Sequence, residues 1–189
     1  MSRDNILKTI RQNKPEFTPL PKYLEVTDPK PRRELLEIFE KSLNQVGAEF
    51  IELSLNEEID SYLSFHFPEV HQIGKNGFRD EYSANCSKEK LDQIDTIILE
   101  GHLGVAENGA IWLDDSDFPN RLVPFVAQMV IISLDSAKIL SNMTEAYHKL
   151  NMAGTGFGVF ISGPSKTADI EQSLVYGAHG PKSLLVVIY

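Results

Sequence analysis

Cysteine is almost absent from this sequence, because Cys86 is the only one among 189 residues. One thiol cannot form an internal disulfide, and it cannot supply the thiolates that hold an iron–sulfur cluster or a structural zinc ion. The chain also lacks the roughly 20 consecutive apolar residues that span a bilayer, and its start lacks the apolar block of a signal peptide. These absences predict a cytoplasmic protein that has no metal site, no intrinsic cofactor and no membrane-inserted segment.

Positive charge is also scarce. The chain has 18 Lys and Arg residues against 27 Asp and Glu residues, which gives a formal net charge of -9. An acidic chain is repelled by phosphate backbones, so we expect no nucleic-acid partner. Apolar residues make up 42% and charged residues 24% of the chain, as in an ordinary globular protein. The length fits one domain with an N-terminal appendage.

Prolines and apolar spacing divide the chain. Five prolines within residues 14–31 predict an extended arm behind a short N-terminal helix. We therefore assign residues 1–30 to a helix and proline-rich arm, and residues 31–189 to a single α/β domain. Apolar residues at helical spacing predict a helix over 31–46 that stops at Gly47.

Short apolar runs alternate with helical patterns along the rest of the chain. Strands are predicted at 50–53, 69–73, 96–99, 110–113, 128–134, 159–161 and 184–188, and helices at 57–65, 136–150 and 167–175. The run at 128–134 is typical of a central strand covered on both faces. This alternation predicts an α/β fold with a mainly parallel central sheet and helices on both faces.

The segment 163–171, Gly-Pro-Ser-Lys-Thr-Ala-Asp-Ile-Glu, follows a predicted strand and opens a predicted helix. Backbone N–H groups at such a helix start, together with the polar side chains of the segment, could hold a phosphate or carboxylate. The simpler interpretation is a Gly-Pro turn, one hydroxyl cap, and acidic residues that favour the helix dipole. Both interpretations stay open. A Walker A motif is excluded, since Pro164 and Ser165 separate the glycine from Lys166.

A second glycine-rich loop, at residues 101–109, carries the best catalytic candidate, Glu107, beside a tight Asn-Gly turn. Its carboxylate could act as nucleophile or general base, and His102 and His179 could transfer protons near neutral pH. The alternative is that Glu107 is an exposed turn acid and that each histidine makes a structural hydrogen bond. The ligand-binding candidates from both loops are Gly104, Asn108, Gly109, Gly163, Ser165, Lys166, Thr167, Asp169 and Gly180.

Residues 163–171, followed by Val175-Tyr-Gly-Ala-His-Gly-Pro181 and the apolar finish at 184–188, resemble the C-terminal signature of lactate-utilisation C-type proteins, the LUD-domain family. Residues 104–110 resemble the glycine-glutamate loop of that family, although Asn108 and Ala110 stand where threonines are expected. The resemblance implies the fold shared by glucosamine-phosphate isomerases, ribose-phosphate isomerases and CoA transferases.

The same resemblance implies a function in bacterial oxidation of lactate to pyruvate. We expect an accessory, non-redox component whose partners are separate iron–sulfur subunits that carry the clusters. Residues 107–109 are also similar to the glutamate loop of family I CoA transferases. This leaves an alternative, a small-molecule-binding or acyl/CoA transferase-like enzyme in which Glu107 acts and the loop at 163–171 binds the anionic part of a metabolite. Whether the chain is an enzyme stays open at this point.

Overall fold

The central sheet and its flanking elements are seen in a computed structural model that describes residues 3–19, 30–54, 58–68, 71–72, 85–116, 120–150, 156–170, 173–177 and 179–189. In chain order the elements are α1 (Arg3–Gln12), α2 (Arg32–Val46), β1 (Glu49–Glu52), α3 (Ile59–His66), β2 (His71–Gln72), α4 (Lys88–Leu91), β3 (Thr96–Glu100), β4 (Leu103–Val105), β5 (Ala110–Asp114), α5 (Val123–Val126), β6 (Met129–Leu134), β7 (Ile139–Leu140), α6 (Met143–Lys149), β8 (Gly158–Ile161), β9 (Lys166–Ile170), β10 (Ser173–Tyr176) and β11 (Ser183–Ile188).

Five parallel strands form the central sheet, in the order β1-β11-β6-β3-β2. The middle strand is β6, whose Val130, Ile131 and Ile132 are almost completely buried. Its unbroken apolar sequence is explained by this position, because both faces of a central parallel strand are covered. The predicted α/β class, the mainly parallel sheet and the central place of this strand are confirmed.

Helices cover both faces of the sheet. On one face, α2 buries Leu36, Phe39 and Leu43, which recur at helical spacing. The helix ends at Gly47, whose φ of 78° is the left-handed conformation that glycine adopts without a Cβ clash. On the opposite face, Leu63 of α3 packs against Ile131 and neighbouring residues of the sheet.

A second sheet, in the order β7-β4-β5-β8, lies on the same face as α2. Residues 101–109 were expected to form one glycine-rich loop between two strands. This segment contains the short strand β4, which pairs antiparallel with β5. Ile111 and Leu113 of β5 are fully buried in the core that α2 also lines. The predicted strand at 159–161 is present as β8, and it extends this second sheet through pairing with β5.

The single helix predicted at 136–150 is wrong. The segment contains a 3-10 turn at Ser136–Lys138, the short strand β7, and then α6. Ile139 joins the main core, whereas Leu140 joins a separate cluster around Trp112. Successive side chains point to opposite faces only in a strand, so burial of both residues in different cores favours a strand over a helix here.

The helix predicted at 167–175 is also wrong, because β9 and β10 form an antiparallel hairpin there, with Lys166 opposite Tyr176 and Thr167 opposite Val175. Each strand supplies the backbone partners of the other, which local capping residues could not reveal. Glu171 lies outside the described residues. Of the strand predicted at 69–73, only His71 and Gln72 are described, and they pair with β3.

At the N-terminus, α1 occupies the predicted position and contains no buried residue. None of the helices in the described part of the chain is both long enough and apolar enough to cross a membrane.

Candidate functional site

The two glycine loops meet beside the last turns of α2. The Ser162 hydroxyl donates a hydrogen bond of 2.7 Å to the Asn108 carbonyl oxygen. A Cβ on Gly109 would lie 3.1 Å from the Leu43 nitrogen, and a Cβ on Gly163 would lie 2.6 Å from the Val46 carbonyl oxygen. Because β1 begins just after α2 ends, this meeting point lies at the amino end of the parallel strands. Both glycines have positive φ, so conformation and close packing explain them without a ligand.

Glu107 is exposed, and its carboxylate serves as a cap for α6. Its Oε1 accepts a hydrogen bond of 2.8 Å from the Met143 backbone N–H, while its own N–H donates to the Ser141 carbonyl at 3.2 Å. Asn142 caps the same helix by accepting from the Glu145 N–H. A carboxylate at this position satisfies a free backbone donor and complements the positive end of the helix.

Two other candidates of the first loop have structural partners. The Asn108 side-chain oxygen accepts from the Ala110 N–H at 3.0 Å, which closes an Asx turn around Gly109. Gly104 lies buried in β4, where a Cβ would come within 2.7 Å of the Leu134 side chain. This glycine therefore lets β4 approach the core, and the ligand-binding role expected for it stays a prediction.

A cavity of about 210 Å³ brings together four of the other candidates, namely Gly163, Ser165, His179 and Gly180. Its walls are mainly apolar, with Phe125, Phe160 and Leu184 among them. The Ser165 N–H donates to the Pro181 carbonyl and the Ser165 carbonyl accepts from the Gly177 N–H, which ties the segment before β9 to the segment after β10.

The remaining candidates of the second loop lie on β9. Lys166 is exposed at the start of this strand, and Thr167 and Asp169 follow along its backbone. No helix begins in this described segment, so the helix-dipole basis for an anion site at 163–171 is wrong. Any anion there would have to be held by side chains and by N–H groups of the turn.

His102 lines a different cavity, of about 330 Å³. Its Nε2 lies 3.7 Å from Asp114 Oδ2, and both side chains are about three-quarters buried. In the pairing of β4 with β5, Leu103 lies opposite Trp112, and this register brings His102 close to Asp114. Sequence reasoning missed Asp114, and hairpin register was the signal that could have found it. In the described part of the chain, Glu107 lines neither this cavity nor the one beside His179.

A third cavity, of about 540 Å³, opens at the carboxyl end of β1 and β11, where parallel sheets commonly place ligands. Its cations already have partners, since Arg33 pairs with Glu37 and Glu52 while Arg32 donates to the Ser136 hydroxyl. Burial raises the pKa of the neighbouring Tyr189 hydroxyl above its usual value, and nearby carboxylates, Glu100 first among them, raise it further. Sequence reasoning did not identify this cavity, because distant segments form it.

Comparison with known proteins identifies relatives of the whole domain. Residues 27–189 match the model of the LUD domain. Lactate utilization protein C of Shouchella clausii is 30% identical over 164 residues, which cover 76% of this chain and 71% of that protein. Lactate utilization protein C of Oceanobacillus iheyensis is 25% identical over 211 residues, covering 96% and 90%. In some relatives, such as that of Bacillus pumilus, the match spans only about half of the protein, 52%.

A solved structure supports the fold. The crystal structure of a DUF162 family protein from Deinococcus radiodurans superimposes with a TM-score of 0.62 and 19% identity, covering 85% of this chain and 99% of that one. The match of residues 27–189 to the LUD domain confirms, at the level of the family, the resemblance inferred from residues 163–171 and 104–110. The chain belongs to the LUD domain family.

Proposed function

We propose that this chain functions in bacterial lactate utilisation as a non-redox component that works with separate iron–sulfur proteins. The observation that carries the proposal is the match of the domain to proteins named for lactate utilisation. The membership extends over residues 27–189, so it includes both loops and the whole central sheet.

The need for separate iron–sulfur proteins follows from the electrons that lactate oxidation releases. Oxidation of lactate to pyruvate releases two electrons and two protons, and the electrons need an acceptor. Cys86 is the only thiol in the sequence, so these residues cannot ligate a cluster through the usual set of cysteines. The electrons would therefore pass to clusters in partner proteins, with this chain contributing assembly or substrate handling.

Two measurements test the proposal. In the organism that encodes it, deletion of the chain should abolish growth on L-lactate and leave growth on pyruvate intact, and a plasmid copy should restore growth. The purified chain should not reduce a dye acceptor with L-lactate unless iron–sulfur partners are added. Normal growth of the deletion strain on L-lactate, or dye reduction by the chain alone, would overturn the proposal.

A second candidate function is a small-molecule-binding or acyl/CoA transferase-like enzyme. The cavity at Ser165 and His179 favours it, because these candidates from either side of the β9–β10 pair line one space beside the contact between Ser162 and Asn108. In this function the segment 163–171 would bind the anionic part of a metabolite, and Glu107 would move from its cap on α6 to act on the substrate.

Thermal shifts separate the two functions. A ligand at 100 times its Kd stabilises a protein by about 2.7 kcal/mol, which is readily measured. L-lactate, CoA esters and sugar phosphates should be compared on the wild type, Glu107→Gln, Ser165→Ala and Lys166→Ala, with Lys41→Ala on the exposed side of α2 as control. A shift that disappears in the loop variants and persists in the control supports the enzyme, whereas no shift with any ligand contradicts it.

A further inference from the structure

We propose that the cavity beside His102 binds a small monocarboxylate anion, with its carboxylate towards Lys138 and Lys149 and its carbon chain against Trp112. The cavity is separate from the meeting point of the glycine loops. It lies where the second sheet meets the 3-10 turn and α6, and its volume of about 330 Å³ is at the small end of the range for ligand pockets.

The apolar part of the cavity consists of Leu103, Trp112, Leu140 and Leu150. Trp112 is only 6% exposed and is held in place by Phe160, with 4.8 Å between the ring centroids. Because this apolar wall is already packed, little conformational entropy is lost when a ligand binds to it. The wall therefore favours a ligand with a short hydrocarbon portion.

The polar part consists of four side chains from three structural units. Lys138 ends the 3-10 turn and Lys149 ends α6, while His102 and Asp114 flank the β4–β5 hairpin. Asp114 Oδ1 accepts from both the N–H and the hydroxyl of Ser116, at 2.9 and 2.6 Å. These bonds fix the carboxylate so that its other oxygen faces His102.

The charges select a monoanion. Lys138 Nζ lies 3.9 Å from Glu100 Oε1, a long and exposed ion pair of the kind that contributes little energy. Two ammonium groups therefore remain able to attract one carboxylate. A dianion such as a phosphate ester would be repelled more strongly by Asp114, which lines the same cavity, and a neutral ligand would gain no charge-assisted hydrogen bond from the lysines.

His102 is the hydrogen-bonding group of this site. The neighbouring Asp114 Oδ2 lies 3.7 Å from the imidazole Nε2, which is longer than a hydrogen bond, so the carboxylate acts on the ring through its charge. An oxygen on the carbon next to the ligand carboxylate, as in a 2-hydroxy or 2-oxo acid, would lie between the lysines and this ring. The choice of L-lactate as first probe rests on the proposed function, whereas the binding of a monocarboxylate does not.

The single tryptophan of the chain makes the site observable. Titration of the intact chain with L-lactate, propionate or propionamide is followed through Trp112 fluorescence and its indole N–H resonance. Both carboxylates should shift the Trp112 signals with a Kd of about 1 mM, corresponding to roughly -4 kcal/mol. Propionamide, which has a similar shape and no charge, should leave them unchanged, and L-lactate should bind more tightly than propionate.

Matched variants locate the ligand. Lys149→Met should weaken carboxylate binding about tenfold, the ratio expected when about 1.4 kcal/mol of charge-assisted hydrogen bonding is lost. Lys41→Met changes another exposed helix lysine, one that does not line the cavity, and this variant should bind as the wild type does. His102→Gln should remove the preference for L-lactate over propionate. Far-UV circular dichroism and thermal melts establish that each variant is folded.

The proposal fails if neither carboxylate changes the Trp112 signals, if propionamide changes them equally, or if Lys149→Met and Lys41→Met bind alike. These outcomes are independent of the proposed function, which is tested by growth on L-lactate and by dye reduction. Binding without a growth defect would refute the function and keep the site, and a growth defect without binding would do the reverse.

Discussion

Glu107 offers the sharpest test of whether the first loop acts chemically or structurally. Its carboxylate accepts the Met143 N–H at 2.8 Å at the start of α6. Glu107→Ala removes the acceptor and leaves that backbone donor to water, so the loss of a cap should lower the free energy of unfolding by about 1–2 kcal/mol. Glu107→Gln keeps an acceptor of the same length and loses only the charge at the helix start, a cost of roughly 0.3–1 kcal/mol.

Urea unfolding followed by circular dichroism measures both differences. In thermal melts of a chain of this length, the alanine variant should lower Tm by about 2–8 °C and the glutamine variant should lower it by less. Glu49→Ala and Glu49→Gln are matched controls, because Glu49 is exposed at the start of β1 and caps no helix.

The same variants decide between the two roles in cells. A structural Glu107 predicts that the glutamine variant supports growth on L-lactate as the wild type does. The capping argument is refuted if the alanine variant unfolds at the same urea concentration as the wild type. A glutamine variant that is stable and yet fails to support growth would instead establish a chemical role for the carboxylate.

Three further predictions concern packing and ionisation. Gly163→Ala should destabilise the chain by roughly 2–4 kcal/mol in urea unfolding, because it combines positive φ with a 2.6 Å approach of Cβ to the Val46 carbonyl; wild-type stability would contradict the close contact. Phe39→Ala should cost about 3–5 kcal/mol, since this side chain is fully buried between α2 and the sheet; a loss below about 1 kcal/mol would place it outside the core. Tyr189 should ionise above the ordinary tyrosine pKa of 10.0 in an ultraviolet titration, with Tyr189→Phe identifying its step, and Glu100→Gln should lower that pKa. Because the folded pKa is the higher one, the stability linked to Tyr189 is complete below pH 10 and is lost as the pH rises through the folded value; an unchanged pKa in Glu100→Gln would contradict this.

Much of the central sheet could be predicted from local patterns. The helix that ends at Gly47 and the strands at Met129–Leu134 and Ser183–Ile188 are present where the patterns place them. Each of these patterns is strong because one element is buried along a whole face or on both faces, so its apolar residues follow its own period.

The candidate site was predictable only in part. The sequence singled out Gly163, Ser165, His179 and Gly180, and these residues line one cavity. The ligand-binding role of Gly104 stays a prediction, although packing around β4 already explains a glycine there, and the interpretation of His102 did not include Asp114. The difference arises because a cavity is defined by segments that meet in space, and local sequence reports only on its own segment.

The amino-acid sequence by itself determined the family, the alternation of strands and helices, and the glycines that the two turns require. Only the tertiary structure decided that Lys166–Ile170 pairs with Ser173–Tyr176, that Ile139 and Leu140 enter different cores, and that Glu107 caps a helix 36 residues further along. The physical reason is the same in each case: strand pairing, burial on two faces and capping across the chain depend on partners that are distant in sequence, and these outweigh the weak preferences of neighbouring residues.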